Sequence, residues 1–153
     1  LNPGGPARVL HGPTGERNLY TLAPCARVLC LAANGADRLL QTAAVLAVGA
    51  QAVWPADAQY DWARLPVELL AHIAITPDWR APGADFDAVL LHGDEARTRE
   101  IAQLLAGRAG PIVRLAALPP GQADVPLERL VVERALSINT AAAGGNASLM
   151  TLG

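Results

Sequence analysis

The stretch ARVLCLAANGADRLLQTAAVLAVGAQAVWP, residues 26–55, decides the fold. ARVLCLAA (26–33) is a β-rich apolar run and reads as a strand. Asn34, Gly35 and Asp37 then supply a turn and a helix start. Leu39, Ala43, Leu46 and Ala47 recur at helical spacing, and Gly49 ends the run. AQAVWP is a short strand stopped by Pro55. Strand, helix and strand in direct succession open an α/β layer fold.

The rest of the chain repeats that alternation. YDWARLPVELLAH carries helical signal, with Pro66 near a helix start. HIAIT (72–76) reads as a strand, and FDAVLLHG (86–93) as a buried parallel strand, being apolar almost throughout. DEARTREIAQLLAGRAG predicts a helix with Ile101, Leu104 and Leu105 on one face and Arg97, Arg99, Glu100 and Gln103 largely elsewhere. PIVRLAAL (111–118) is the next strand. The expected architecture is therefore a Rossmann-like three-layer α/β domain with a mostly parallel sheet and right-handed connections. Ahead of it NLYTLAP (18–24) and 26–33 read as a short β-pair at the N-terminus. Four segments follow: a lead-in linker at 1–17, the domain at 18–118, a linker at 119–126, and a terminal segment at 127–153 ending in an extended tail. An opening at Leu1 with a loop-like LNPGGPARVLHGPTGE reads as a piece of something longer.

Composition narrows the function. With 153 residues, 52% of them hydrophobic and 17% charged, the chain can bury a core and is not a disordered segment. A net charge of -2, with scattered arginines as its only basic side chains besides histidine, argues against a nucleic-acid face. LLQTAAVLAVGAQAVW is too short for a membrane span and is interrupted by Gly49 and Gln51, and no secretion signal precedes it. Cys25 and Cys30, five apart, would point to opposite faces of one strand, so they read as reduced core thiols of a cytoplasmic protein. Two thiols alone make no metal site.

A fold of this class binds dinucleotides beyond the carboxyl ends of its strands, where a glycine turn bares the N–H groups of a helix start. No GxGxxG is present, and the nearest match is Gly93 in LLHGDEARTRE. Asp94 and Glu95 follow it directly. Carboxylates there complement the helix dipole themselves and repel a pyrophosphate, which predicts a self-capped helix without ligand. Of His11, His72 and His92, only His92 falls near that crevice. Asp85 and Asp87 lie at the wrong end of their strand for chemistry. Neither cysteine sits where a nucleophile is activated, Ser137 and Ser148 lack a G-x-S-x-G context, and Trp54, Trp62 and Trp79 read as packing residues.

HGPTGERNLYTLAPCARVLCLA, AVLAVGAQAVWPAD and LLAGRAGPIVRLAAL resemble the nucleotide-binding half of the aldehyde dehydrogenase superfamily. VVERALSINTAAAGGNASLMTLG resembles the terminal motif of the bifunctional proline utilization A family, whose longer members carry a degenerate aldehyde-dehydrogenase-like domain before that motif. The departures are informative. Active members have a Lys-Pro pair after the second strand, the lysine holding the cofactor ribose; here Trp54-Pro55 stands there. Their later turn has small polar residues after its glycine, where this chain has Asp94-Glu95. Asn34 resembles their oxyanion-hole asparagine, at a different spacing to Gly49, and the domain with the catalytic cysteine is missing.

The resemblance implies a segment without catalytic or cofactor residues of its own, its degenerate site near Gly93, Asp94 and Trp54, in a parent that uses FAD and NAD. It implies packing on the aldehyde dehydrogenase domain of the same polypeptide, in place of contacts that simpler aldehyde dehydrogenases obtain from a second subunit. It leaves open a homo-oligomer of the parent and its peripheral attachment to a membrane. No charged side chain occurs from Ala135 to Gly153, which suits a tail that seals the passage between two active sites. Its interface residues would be Ser137, Asn139, Thr140, Gly144, Gly145, Asn146, Ser148, Leu149 and Met150. Two other readings stand beside this one: an NAD-binding dehydrogenase module, and a homo-oligomerisation or interaction domain.

Overall fold

The computed structural model describes residues 5–139. Among these, two compact units are separable: residues 24–131 form one, and residues 5–23 with 132–139 the other.

The unit 24–131 is built on five parallel strands. They are β3 (Arg27–Ala32), β4 (Gln51–Pro55), β5 (Ile73–Thr76), β6 (Ala88–His92) and β7 (Arg114–Leu118). Their order across the sheet is β5-β4-β3-β6-β7, so the chain starts in the middle, runs to one edge, returns and runs to the other. That reversal falls between β3 and β6, which pair from Val28↔Ala88 to Ala32↔His92. Helix α1 (Gly35–Ala47) follows β3 and helix α4 (Glu95–Ala106) follows β6. Right-handed crossovers leading to opposite edges set these two helices on opposite faces of the sheet. Between β4 and β5 lie a 3-10 turn (Ala56–Ala58) and two one-turn helices, α2 (Gln59–Trp62) and α3 (Val67–Leu70), with Pro66 directly before the latter. The expected α/β class and mostly parallel sheet are what the molecule has.

Strand pleating sorts the core. Leu29, Leu31, Val53, Val89 and Leu91 face one side, where Ile101 and Leu105 of α4 meet them together with Trp79 and Phe86. Alternate residues, including Cys30, Trp54 and Leu90, are fully buried toward α1. At the C-terminal end of α1, Gly49 takes φ +81, a conformation that L side chains rarely adopt, and Ala50 N–H returns to the carbonyl of Val45.

Two helix readings differ in outcome. Leu104 turns out 40% exposed while Ile101 and Leu105 are buried. In α1 the whole stripe is reversed. The residues it buries are Asp37, Arg38, Gln41, Thr42, Ala44 and Val45. Leu39, Ala43 and Ala47 are exposed and Leu46 half-buried. The helical period was legible, but hydrogen-bonding demand beneath the helix, not apolarity, chose the inward face.

The other unit contains a sheet in the order β1-β2-β8, with β1 (Arg8–Leu10), β2 (Glu16–Pro24) and β8 (Val131–Asn139). β1 and β2 are antiparallel, in register from Arg8↔Tyr20 to Leu10↔Asn18. The N-terminal pair thus exists, but 16–24 pairs with 8–10, and 27–32 is the central strand of the parallel sheet. The Tyr20 hydroxyl donates to Glu133 Oε1 at 2.9 Å, and that bond to a carboxylate raises the phenol's pKa.

Candidate functional site

The carboxyl ends of β3, β4 and β6 open on a cleft of about 650 Å³, at the point where the strand order reverses. Ala32, Pro55, His92, Gly93 and Asp94 contribute to its wall, with Arg38, Arg97 and Pro120 around them. This is where a sheet of this topology offers two helix starts to an anion.

Both starts are taken up from within. At α1, Asn34 is the cap: Asp37 N–H donates to its Oδ1 at 2.8 Å, and its own amide donates to Asp37 Oδ2 at 2.9 Å. Asp37, 5% exposed, also accepts Gly121 N–H at 3.1 and 3.2 Å from its two oxygens. A buried carboxylate and a foreign backbone N–H therefore sit where a phosphate would. Gly35 lets Asp61 approach this start closely, since a Cβ there would lie 3.1 Å from Asp61 Oδ2. At α4, Asp94 caps with extended backbone: Arg97 N–H donates to its Oδ1 at 2.7 Å, and Thr98 Oγ1–H to its carbonyl at 2.9 Å. Glu95 in the first turn pairs with Arg99 at 2.9 Å. A side chain at Gly93 would crowd Arg97 and Leu91 at 3.2–3.3 Å.

The cations of the cleft are also engaged. Arg38 donates to the Ala32 carbonyl at 2.7 Å and pairs with Asp61 at 2.9 Å, its side chain only 9% exposed. It also stacks on Trp54, 5.7 Å from the ring centroid. Arg97 pairs with Glu100 at 2.6 Å, and Arg80 lies over Trp79 at 4.2 Å.

Trp54, which stands where the resemblance led to the expectation of a lysine, is not in the cleft. It is fully buried beneath α1 and donates its indole N–H to Thr42 Oγ1 at 2.9 Å. The Thr42 hydroxyl in turn donates to the Arg38 carbonyl at 2.8 Å. Gly93 and Asp94 do meet at the cleft. His92, 3% exposed, lies between two fixed partners: Nδ1 faces Gln41 Nε2 at 3.0 Å, and Nε2 faces the Gln122 carbonyl at 2.9 Å. A carbonyl can only accept, so Nε2 carries the proton and Nδ1 accepts from the amide. That ring is a strut rather than a base. It fastens the stretch 119–126 across the strand ends, and Gly93 N–H donates to the Leu118 carbonyl alongside.

Gly121 and Gln122 were not singled out from the sequence, nor, beyond the part of Asp37 in a helix start, were the α1 residues Asp37, Arg38 and Gln41. A polar stripe at 37, 38, 41 and 42 was the available signal for the last three. Asp85 and Asp87 engage Arg27 at the amino end of the sheet. The two cysteines do not share a strand: Cys30 lies in β3, while Cys25 falls in the link between β2 and β3. Both cysteines are free and buried, and burial pushes the Cys30 thiol up to about 12. Arg114 donates to Cys25 Sγ at 2.8 Å. Among the described residues no cluster of His, Cys, Asp or Glu could hold a metal ion, and no helix is long and apolar enough to cross a membrane. Ser137 and Asn139 are exposed on β8. Thr140, Gly144, Gly145, Asn146, Ser148, Leu149 and Met150 lie outside the described residues.

No family model matches the chain. Along its whole length it is 50% identical, over 155 aligned positions, to the bifunctional protein PutA of Salmonella typhimurium, of which it spans 12%. A solved proline utilization A (PutA) with proline bound in remote sites superposes with a TM-score of 0.59 at 27% identity, covering 77% of this chain and 14% of that one. An indole-3-acetaldehyde dehydrogenase in apo form superposes at 0.58 with 14% identity, over 78% of this chain and 31% of that one, a likeness of fold alone.

Proposed function

This chain is homologous, end to end, to one segment of the PutA proteins and carries an aldehyde-dehydrogenase-like domain, and from that premise we propose that it is a non-catalytic domain of a bifunctional proline-catabolising polypeptide. In that role it packs on the aldehyde dehydrogenase domain of the same cytoplasmic polypeptide. Residues 18–118 form its nucleotide-fold body, 119–126 a connection, and 127–153 a terminal segment that closes the passage between the two active sites. The parent carries FAD at the proline-oxidising site and NAD at the semialdehyde-oxidising site, and this segment holds neither.

One observation carries the reading: at the place where the fold would hold a pyrophosphate, both helix starts are capped by the chain's own side chains, Asn34 with Asp37 and Asp94. A diphosphate would have to displace part-buried hydrogen bonds at the start of α1 and lie against carboxylates at both starts, each arrangement unfavourable. With Trp54 buried under α1, no lysine reaches from that strand end toward a ribose. The tail supports the same role, because it carries no charge from Ala135 onward and places no fixed charge beside an anionic intermediate.

Deleting residues 137–153 from the full-length polypeptide tests the role. Proline oxidation is expected to persist while the semialdehyde step, or transfer between the sites, weakens. Coupled kinetics unaffected by the deletion would defeat it. The open cleft of about 650 Å³ at the strand-order reversal favours one competing reading, an NAD-binding module. A direct NAD titration separates the two.

A further inference from the structure

Helix α1 is built inside out. All four of its polar side chains, Asp37, Arg38, Gln41 and Thr42, are buried. The side it turns away consists of Ala36, Leu39, Leu40, Ala43, Leu46 and Ala47, without one charge or hydrogen-bonding group. Leu39 is 46% exposed. A solvated helix carries its polar residues on the outside, and an apolar outer face marks a surface that something else covers.

The size of the face says what kind of partner fits. Thirteen residues make a rod about 20 Å long, whose outer face offers on the order of 200 Å². Separate chains that associate stably bury about 800 Å² on each side. A face this small cannot hold a free molecule by itself, whereas a tethered neighbour needs far less because linkage supplies its effective concentration. The PutA relative has most of its length outside the matched 12%. Resting on the reading of this chain as one domain of such a polypeptide, we infer that the outer face of α1 docks against an uncharged apolar surface of that same polypeptide lying outside this matched segment.

The test places a reporter thiol on the face by Ala43→Cys in the full-length polypeptide, with Gln103→Cys on the exposed side of α4 as reference. Cys25 and Cys30, at 2% and 0% exposure, stay silent. Maleimide labelling, read peptide by peptide in a mass spectrometer, is expected to be about ten-fold slower at position 43 than at position 103, as for a site reached only through opening. Equal rates would overturn the inference. So would protection that vanishes on dilution, which would identify a second molecule as the partner, or protection lost on deleting 140–153, which would identify the tail. Equal rates alongside an intact deletion phenotype would remove the surface and spare the function.

Discussion

Helices α1 and α4 occupy matching places, one after each of the two central strands, yet they are built in opposite senses. Helix α4 buries Ile101 and Leu105 and sends Arg97, Arg99, Glu100 and Gln103 outward or half-outward. Helix α1 buries its polar residues together with Ala44 and Val45 and turns Leu39, Leu40, Ala43, Leu46 and Ala47 outward or half-outward. The difference lies in what the sheet presents. Under α4 the strands offer Leu29, Leu31, Val89 and Leu91, which need only apolar contact. Under α1 they offer an indole N–H, the Leu31 and Ala32 carbonyls and the His92 ring, and each must find a partner. The helix supplies those partners, and its aliphatic stripe is left for another surface.

The largest effect should come where α4 behaves as an ordinary core helix. Ile101→Ala removes a fully buried side chain from the centre of the apolar cluster, and denaturant melts should register a loss of about 2–5 kcal/mol. A loss under about 1 kcal/mol would show that the α4 side is loosely packed, and the contrast with α1 would weaken. Next comes the polar seam. Thr42→Val keeps the shape but strands the Trp54 N–H in the core, an expected cost of about 1–3 kcal/mol by the same melts. A neutral outcome would mean that the indole does not govern which way α1 faces.

Smaller again is Asp94→Ala. Loss of the cap on Arg97 N–H should lower stability by about 1 kcal/mol, visible in a thermal scan. At the bottom stands Leu39→Gln, which in the isolated chain should change stability by no more than about 0.5 kcal/mol because the side chain faces outward. A cost comparable to that of Ile101→Ala would place Leu39 in a core and erase the comparison.

These contrasts mark where the sequence could be read and where it could not. The five strands were legible because parallel strands buried on both faces are short apolar runs between turn residues, as in AVLLH at 88–92. The Asp94 cap was legible because its partner lies three residues on. The orientation of α1 was not, since a stripe of Leu and Ala indicates a face without saying which face the sheet will demand. Nor was the part played by 119–126. Its composition is that of a connection, yet Gly121 bonds Asp37 across 84 positions and Gln122 bonds His92 across 30. Pairings so distant in sequence leave no local periodicity to find. The short N-terminal pair was anticipated with the wrong partner because both candidate strands are equally β-rich, and only the parallel ladder decides that 27–32 belongs at its centre.

The cleft itself is where function hangs on these details. Asp94→Ser alone is not expected to create cofactor affinity, because Asp37 still occupies the start of α1 and no lysine stands in place of Trp54. The most direct measurement is calorimetric titration of the chain with NAD. Helix starts closed by their own carboxylates should give no heat of binding at any workable concentration. A saturable isotherm with a micromolar dissociation constant would mean that the site is open and that the domain is more than a wall for its neighbour.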